Sequence, residues 1–388
     1  MRKMTSPFPP PTAGEIAEWL SRLVKIPSVN PAHAGGDKSI AGEERMAAVV
    51  KDWFTQLGAE IQTDEIMPGR SNVYGIWRNG GNHWRAVDVH TDTVGVDLMT
   101  EFPFSGEIIN GQVRGRGAVD TKATLAIVLA ILEKLHQSGT NLDFNLLVAA
   151  TADEETGMGG ARAFARWLPM QEFILNELLV AEPTLCQPAI SHNGNVRLIF
   201  HIRGKEAHSS KPEQGQNAIV AATHLINALN DEHQRLQSLP PHFPLGHGKL
   251  TVTIVEGGSG LNVVPGSCKI SVDRRTLPGE DYKEIWANMR RLANESCPLP
   301  VTVEYMSRLN AFMQEPDAPW IQSLVDFTGL EPTCMPYGTN AAHYGGLADE
   351  IVVMGPGTID HAHGPEEWIE ISELERMRDI YLHWWGLD

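Results

Sequence analysis

Histidines and acidic residues gather at a few points of this chain where the preceding residues read as buried strands. In Val87-Asp-Val-His-Thr-Asp, His90 and Asp92 stand two residues apart, on one side of an extended segment. A histidine that binds metal through one ring nitrogen commonly donates its other N–H to a carboxylate, and Asp92 stands where that partner belongs. Gly115-Arg-Gly-Ala-Val-Asp-Thr-Lys leads from a glycine turn into an apolar helix with Asp120 at its start, where one carboxylate can serve two cations. Asp153, Glu154 and Glu155 follow the apolar run Phe144 to Ala152. That is the carboxyl end of a buried strand, where open α/β sheets place their sites. Adjacent side chains point to opposite sides, so one glutamate can bind metal while its neighbour faces a water. Glu182 ends another apolar strand, and His361-Ala-His363-Gly-Pro-Glu-Glu puts two histidines in a loop. Taken singly, His90 and Asp92 are equally a chance surface pair, and Asp120 reads best as a helix N-cap. Taken together, two histidines and three carboxylates suit two zinc-like divalent ions.

These residues need a scaffold, and the hydrophobic pattern supplies one. Helical spacing covers Ala13 to Lys25, Glu43 to Leu57, Ala123 to His136 and Gly159 to Leu168, interleaved with strands at 61–63, 72–77, 84–90 and 144–152. Alternating strands and helices predict a layered α/β domain on a mixed, mostly parallel sheet. From about residue 188 the texture changes to half-buried strands. The order strand (196–203), helix (217–229), strand (249–255), strand (268–273), helix (281–293), strand (301–305) is that of a ferredoxin-like α+β unit. The chain then returns to helix at 320–327, strand at 351–354 and a helix from Ser372. The expected organisation is a catalytic domain over 1–188 and 307–388, with an inserted lid or dimerisation domain over 189–306.

Composition bounds the function. With 388 residues the chain exceeds one ordinary domain, and its 31 basic against 48 acidic residues give a net charge of −17. That excess repels phosphate backbones and anionic lipid, so neither nucleic acid nor membrane is an expected partner. The first residues, Met1-Arg-Lys-Met-Thr-Ser-Pro, lack the apolar stretch of a signal peptide, and Cys186, Cys268, Cys297 and Cys334 are too scattered for a disulfide framework or a thiolate zinc site. A cytoplasmic location is the expectation. No Gly-x-Ser-x-Gly elbow points to a serine hydrolase.

The order and wording of the motifs resemble the family of metal-dependent aminoacylases and exopeptidases, which includes acetylornithine deacetylase, succinyl-diaminopimelate desuccinylase, aminoacylase and carboxypeptidase G. The resemblance runs from about residue 15 to the C-terminus. It implies that His90 and Glu182 bind one metal, Glu155 and His363 the other, and that Asp120 bridges the two, with Asp92 behind His90. Glu154 is implied as general base, and His208, in Gly204-Lys-Glu-Ala-His-Ser-Ser, as a residue that reaches a neighbouring active site, usually across a dimer. Asn262 and Arg275 are implied to bind a substrate carboxylate; the lesser alternative for Arg275 is a surface pair with Asp273. The implied cofactors are two divalent ions, zinc first, with cobalt or manganese as substitutes. The implied function is hydrolysis of a small N-acyl amino acid by a homodimer, with a deacetylase leading and a dipeptidase or carboxypeptidase second. A non-catalytic protein that kept the fold is the rival of another class, and no ligand position is missing to favour it. The closest wording is that of the acetylornithine deacetylases, except that Asn340 replaces the glutamate of their Gly-Thr-Glu-Ala. A glutamate lost near the pocket argues against a cationic ornithine side chain.

Overall fold

The computed structural model describes residues 8–388; the expectation about the N-terminal segment falls mainly on residues 1–7, outside that range. The chain divides into two compact units. The first comprises the chain up to Ile190 with Gln314–Thr333 and Thr339–Asp388, and the second comprises Ser191–Met313 with Cys334–Gly338.

The first unit is built on a nine-stranded sheet, six of whose strands lie in the order Glu60–Met67, Arg70–Trp77, Asn145–Thr151, Trp84–His90, Leu175–Val180, Ala348–Val353. The first two pairings are antiparallel and the next three parallel, so the sheet is mixed, with a parallel centre. Parallel strands covered on both faces must be apolar throughout, and every residue of Asn145–Thr151 is buried. Leu146, Val148 and Ala150 face one core shared with helices Ala13–Val24, Glu44–Gln56, Lys122–Ser138 and Ile371–Trp385. On the opposite face Tyr74 stacks on Trp167 at 4.3 Å between ring centroids, and Phe164 meets Tyr344 edge-on at 5.4 Å. The consequence for function is directional. His90, Thr151, Val180 and Val353 all end strands of the parallel set, so the loops that follow them emerge on one edge of the sheet.

Several short strands escaped the sequence pattern, three of them in one place. Glu107–Ile109, Gln112–Arg114 and Trp368–Glu370 form a separate antiparallel sheet, each too short for a period to show. That sheet joins the segment before Asp120 to the segment after His363.

The second unit has four antiparallel strands in the order Lys249–Gly257, Ser267–Thr276, Gly194–Arg203, Val301–Leu309, with helices Ala218–Ser238 and Tyr282–Ser296 contributing to its core. Two boundaries differ from expectation for identifiable reasons. The last strand continues past Tyr305, because a register shift between Tyr305 and Ser307 breaks the alternation there. The first helix runs nine residues beyond Leu229: Asn230 to Arg235 are polar and end the apolar stripe, yet Leu236 is buried again and Pro240 lies just beyond the end.

Among the described residues no helix is long and apolar enough to cross a membrane. Helix Lys122–Ser138 carries the load between sheet and outer helices, with Ile127 fully buried. Ile127→Ala is expected to cost about 2–5 kcal/mol. The check is a lowered urea midpoint for the first unit, followed by a probe in that unit.

Candidate metal centre

The loops at the carboxyl edge of the parallel strands converge. His90 Nε2 lies 2.9 Å from Asp120 Oδ1, and His363 Nε2 lies 3.1 Å from Asp120 Oδ2, so each carboxylate oxygen of Asp120 faces a different imidazole. His363 Nε2 also stands 3.3 Å from Glu155 Oε2. One ligand atom from each of His90, Glu154 and Glu182 lie within 4.8 Å of one another, as do one from each of His90, Asp120 and Glu155. Six residues singled out in the sequence, from His90 to His363, therefore meet at one place.

Asp92 takes a different part from the one expected. The main-chain carbonyl of Asp92 faces His90 Nδ1 at 3.0 Å, while its carboxylate stands 3.7 Å from that nitrogen. The carboxylate instead accepts the backbone N–H groups of Glu154 (3.0 Å) and Glu155 (3.1 Å). It thus orients the imidazole through the backbone and the acidic loop through its side chain.

The electrostatics of the cluster are those of a cation site. Burial pushes the pKa of Glu154 and Glu182 well above the usual carboxylate range, and that of Glu155 up to about 7, with neighbouring carboxylates adding to each. Burial opposes charge on His90 too, but the hydrogen bond to Asp120 and the surrounding acids raise its pKa well above normal. Hydrogen bonds to Asp120 and Glu155 hold His363 up to about 10. Asp120 stays low despite its burial, because both imidazoles favour its charged form. Glu155 Oε1 is buried without a hydrogen-bond partner. An orphaned carboxylate oxygen among carboxylates and imidazoles fits hard-to-borderline divalent cations.

Two residues the sequence left without a role hold the ligand loops. Glu367 Oε1 accepts the N–H groups of Val119 (2.9 Å) and Asp120 (3.2 Å), and its Oε2 pairs with Arg116 at 2.7 Å. Arg116, almost fully buried, also donates to the carbonyls of Gly95 and Gly364. One buried ion pair therefore ties the turn of Asp120 to the loop of His363, which itself sits at φ +60°, a strained value for a residue other than glycine. Glu367 was visible in Gly-Pro-Glu-Glu, but spacing cannot say that it reaches back some 250 positions.

Asn340 lies against a buried acid. It is buried, and its Nδ2 donates to Asp88 Oδ2 at 3.0 Å; Tyr344 Oη donates to the same oxygen and Thr151 Oγ1 to the other. A glutamate at 340 would set a second buried carboxylate against Asp88. The asparagine at 340 is thus matched to Asp88.

His208, Asn262 and Arg275 belong to the second unit. His208 and Asn262 are neighbours: Ser209 N–H donates to the Asn262 carbonyl at 2.8 Å, and His208 Nδ1 meets Ser210 Oγ at 2.7 Å. Arg275 lies toward the other end of strand Ser267–Thr276, paired with Asp273 at 2.8 Å. The eight steps from Ser267 to Arg275 span about 26 Å at ~3.3 Å per residue, so the three do not meet within one unit.

The parallel-centred sheet and its acidic edge are those of a metal-dependent hydrolase of amide bonds. The chain belongs to peptidase family M20/M25/M40, whose model matches residues 86–386. It is 28% identical over 377 residues to an acetylornithine deacetylase from Edwardsiella ictaluri (strain 93-146), covering 92% of this chain and 94% of that one. Among solved structures it is similar to an aminopeptidase PepT from Bacillus cereus (TM-score 0.76, 19% identity, 96% of this chain and 98% of that one). It is also similar to the YXEP protein of Bacillus subtilis, described as a dinuclear metal binding peptidase (TM-score 0.69, 15% identity, 96% and 97%).

The raised acids make the chelator-stripped protein sensitive to pH. Glu155, at about 7 folded against 4.5 ordinarily, binds its proton more tightly when folded. The stability this confers is full below pH 4.5 and is lost as pH rises through 7. The thermal midpoint of the stripped protein is expected to fall between pH 5 and 8, less steeply in Glu155→Gln, and saturating Zn²⁺ is expected to restore it at pH 8. A midpoint that is flat with pH and indifferent to metal would contradict this reading of the cluster.

Proposed function

We propose that the chain hydrolyses the amide bond of small N-acyl amino acids, with removal of an acetyl group as the leading reaction. The observation that carries the proposal is Asp120, whose two carboxylate oxygens face His90 and His363 separately. Two divalent ions fit there, zinc first and cobalt or manganese as substitutes: His90, Asp120 and Glu182 would hold one, and Asp120, Glu155 and His363 the other. Such ions supply Lewis acidity that brings the pKa of a water from 15.7 toward about 7. The relative of 28% identity, aligned over nearly its whole length, supports the deacetylase over the peptidase reading.

Glu154 is the proton carrier. Its carboxylate is kept basic by burial and by Glu155, Asp120 and Asp92, and its backbone is fixed by the Asp92 carboxylate. It takes the proton of the attacking water and delivers it to the leaving nitrogen, so that a free amine departs. His208 donates to the carbonyl oxygen as negative charge develops there. Arg275 and Asn262 receive the substrate's carboxylate, Arg275 through its planar fork. Because Arg275 sits far along its strand from His208 and Asn262, the reading requires a homodimer in which a second copy supplies the latter pair. The exposed Ile254 and Val255 lie on edge strand Lys249–Gly257, and Val220 and Leu261 are exposed in the same unit; they give that second copy an apolar surface to cover. Four free cysteines fit a reducing, cytoplasmic location. The peptidase reading stays second, supported by the likeness to the peptidase structures.

Glu154→Gln is expected to keep its metal by elemental analysis and lose at least ~10²–10⁴-fold in kcat, on a panel of N-acyl amino acids and dipeptides. Near-normal turnover with full metal would defeat the assignment. His208→Ala is expected to lose kcat and retain metal. Mixing the two inactive proteins, with exchange of subunits, should restore activity; hybrids that stay dead would overturn the shared site.

A further inference from the structure

The acidic loop that carries Glu154 and Glu155 is held from behind by charge. Asp153, Glu154 and Glu155 donate their three successive backbone N–H groups to carboxylate oxygens: the first to Glu43 Oε1 at 3.1 Å, the next two to Asp92. Asp153 itself stands at φ +68°, a left-handed value unusual for a residue other than glycine, so something must hold the turn. Its side chain does so on both oxygens: Oδ1 faces Arg70 Nη1 (2.8 Å), Thr156 Oγ1 (2.9 Å) and Asn30 Nδ2 (3.2 Å), and Oδ2 accepts the N–H of Gly159 (3.1 Å).

Arg70 is the cation at the centre of this arrangement. Its Nε and Nη2 meet the two oxygens of Glu43 at 2.7 and 2.5 Å while Nη1 turns to Asp153. Asn30 spans the remaining gap, its Nδ2 reaching both Asp153 and Asp92 Oδ2, the latter at 2.8 Å. Glu43, Asn30, Asp92, Asp153 and Arg70 are all buried. Replacing a buried ion pair by apolar residues is often neutral or stabilising, so stability alone is a poor reason to keep one.

We propose that Arg70, with Glu43, is a positioning pair for the hydrolytic centre: it sets the left-handed turn at Asp153, and thereby the aim of Glu154 at its proton and of Glu155 at its metal. Only an arginine fork can face both oxygens of Glu43 and still present a third nitrogen to Asp153; a lysine ammonium cannot keep that geometry. Glu43 in turn holds the Asp153 amide with the oxygen that faces Arg70 Nη2, so the two residues act as one clamp. The proposal rests on the metal-hydrolase reading above and adds two residues that touch neither substrate nor metal.

The test compares Arg70→Lys, Arg70→Met and Glu43→Gln with the wild type in three measurements: kcat and KM on the best substrate of the panel, Zn²⁺ affinity by competition with a chromophoric chelator, and the thermal midpoint. Outer partners of metal ligands are typically worth about 10–100-fold in affinity or activity. Arg70→Met is expected to lose kcat by that factor with KM changed less than about twofold, and to bind the weaker Zn²⁺ equivalent correspondingly less tightly. Arg70→Lys should recover the thermal midpoint but little of the kcat, because charge returns without the fork. Glu43→Gln, which keeps an acceptor for the Asp153 amide, should fall between. A merely structural pair gives the opposite pattern: a lowered midpoint, with normal kcat and normal Zn²⁺ affinity in the folded fraction, and full rescue by lysine; that result overturns the proposal. Should the wild type bind two Zn²⁺ yet hydrolyse nothing on the panel, the proposed function fails while the Zn²⁺ comparison still decides the positioning role.

Discussion

Repulsion among buried carboxylates is the constraint on which this molecule turns. Asp120, Glu154, Glu155 and Glu182 are brought to one edge of a sheet, where burial and mutual charge disfavour the ionised forms of the three glutamates. Two imidazoles offset part of the cost and a shared proton or two could offset more, but neither satisfies Glu155 Oε1. A pair of divalent cations would satisfy all of them together, and would supply the Lewis acidity that makes a water nucleophilic. The sheet geometry makes this arrangement reachable: four strand ends of one direction deliver ligands from segments nearly three hundred positions apart.

Around that cluster lies a rigid frame of hydrogen bonds to charged groups. Two of the candidate ligand-bearing loops are fastened by buried carboxylates that accept backbone N–H groups: Glu367 for the turn of Asp120, Asp92 for Glu154 and Glu155. Carboxylates suit this work because they accept several donors at once, and ionised acceptors hold amides more strongly than neutral ones. The cost is more negative charge near a site already rich in it, and Arg116 and Arg70 are the buried cations that counter it. Just after the turn of Asp120, Lys122 adds a further anchor, its buried amino group donating to the carbonyls of Leu23 and Ile26.

His90, Glu154, Glu155 and Glu182 were legible in the sequence because they end or follow apolar runs, where a carboxylate or histidine has no reason to be unless something binds it; Asp120 on its turn and His363 in its loop stood out only beside them. His90 after Val-Asp-Val, and Glu154 after Leu-Leu-Val-Ala-Ala, announce themselves in this way. The frame was not legible. Glu367 serves Asp120 from 247 positions away and Asn340 serves Asp88 from 252, and periodicity carries no record of such pairings. Asn340 was the instructive case: it stood out as a departure from the resembled motif, but its meaning lay in Asp88, an acid that looked like one more polar residue of a strand. Element boundaries slipped where chemistry overrode pattern, at the bulge after Tyr305 and in the polar end of helix Ala218–Ser238.

The most direct test of the central idea is anomalous diffraction at the zinc edge from crystals of the protein saturated with Zn²⁺. Two peaks are predicted on either side of the Asp120 carboxylate, one beside His90 and Glu182 and the other beside Glu155 and His363. A single peak away from Asp120, or zinc found only on the protein surface, would contradict the account.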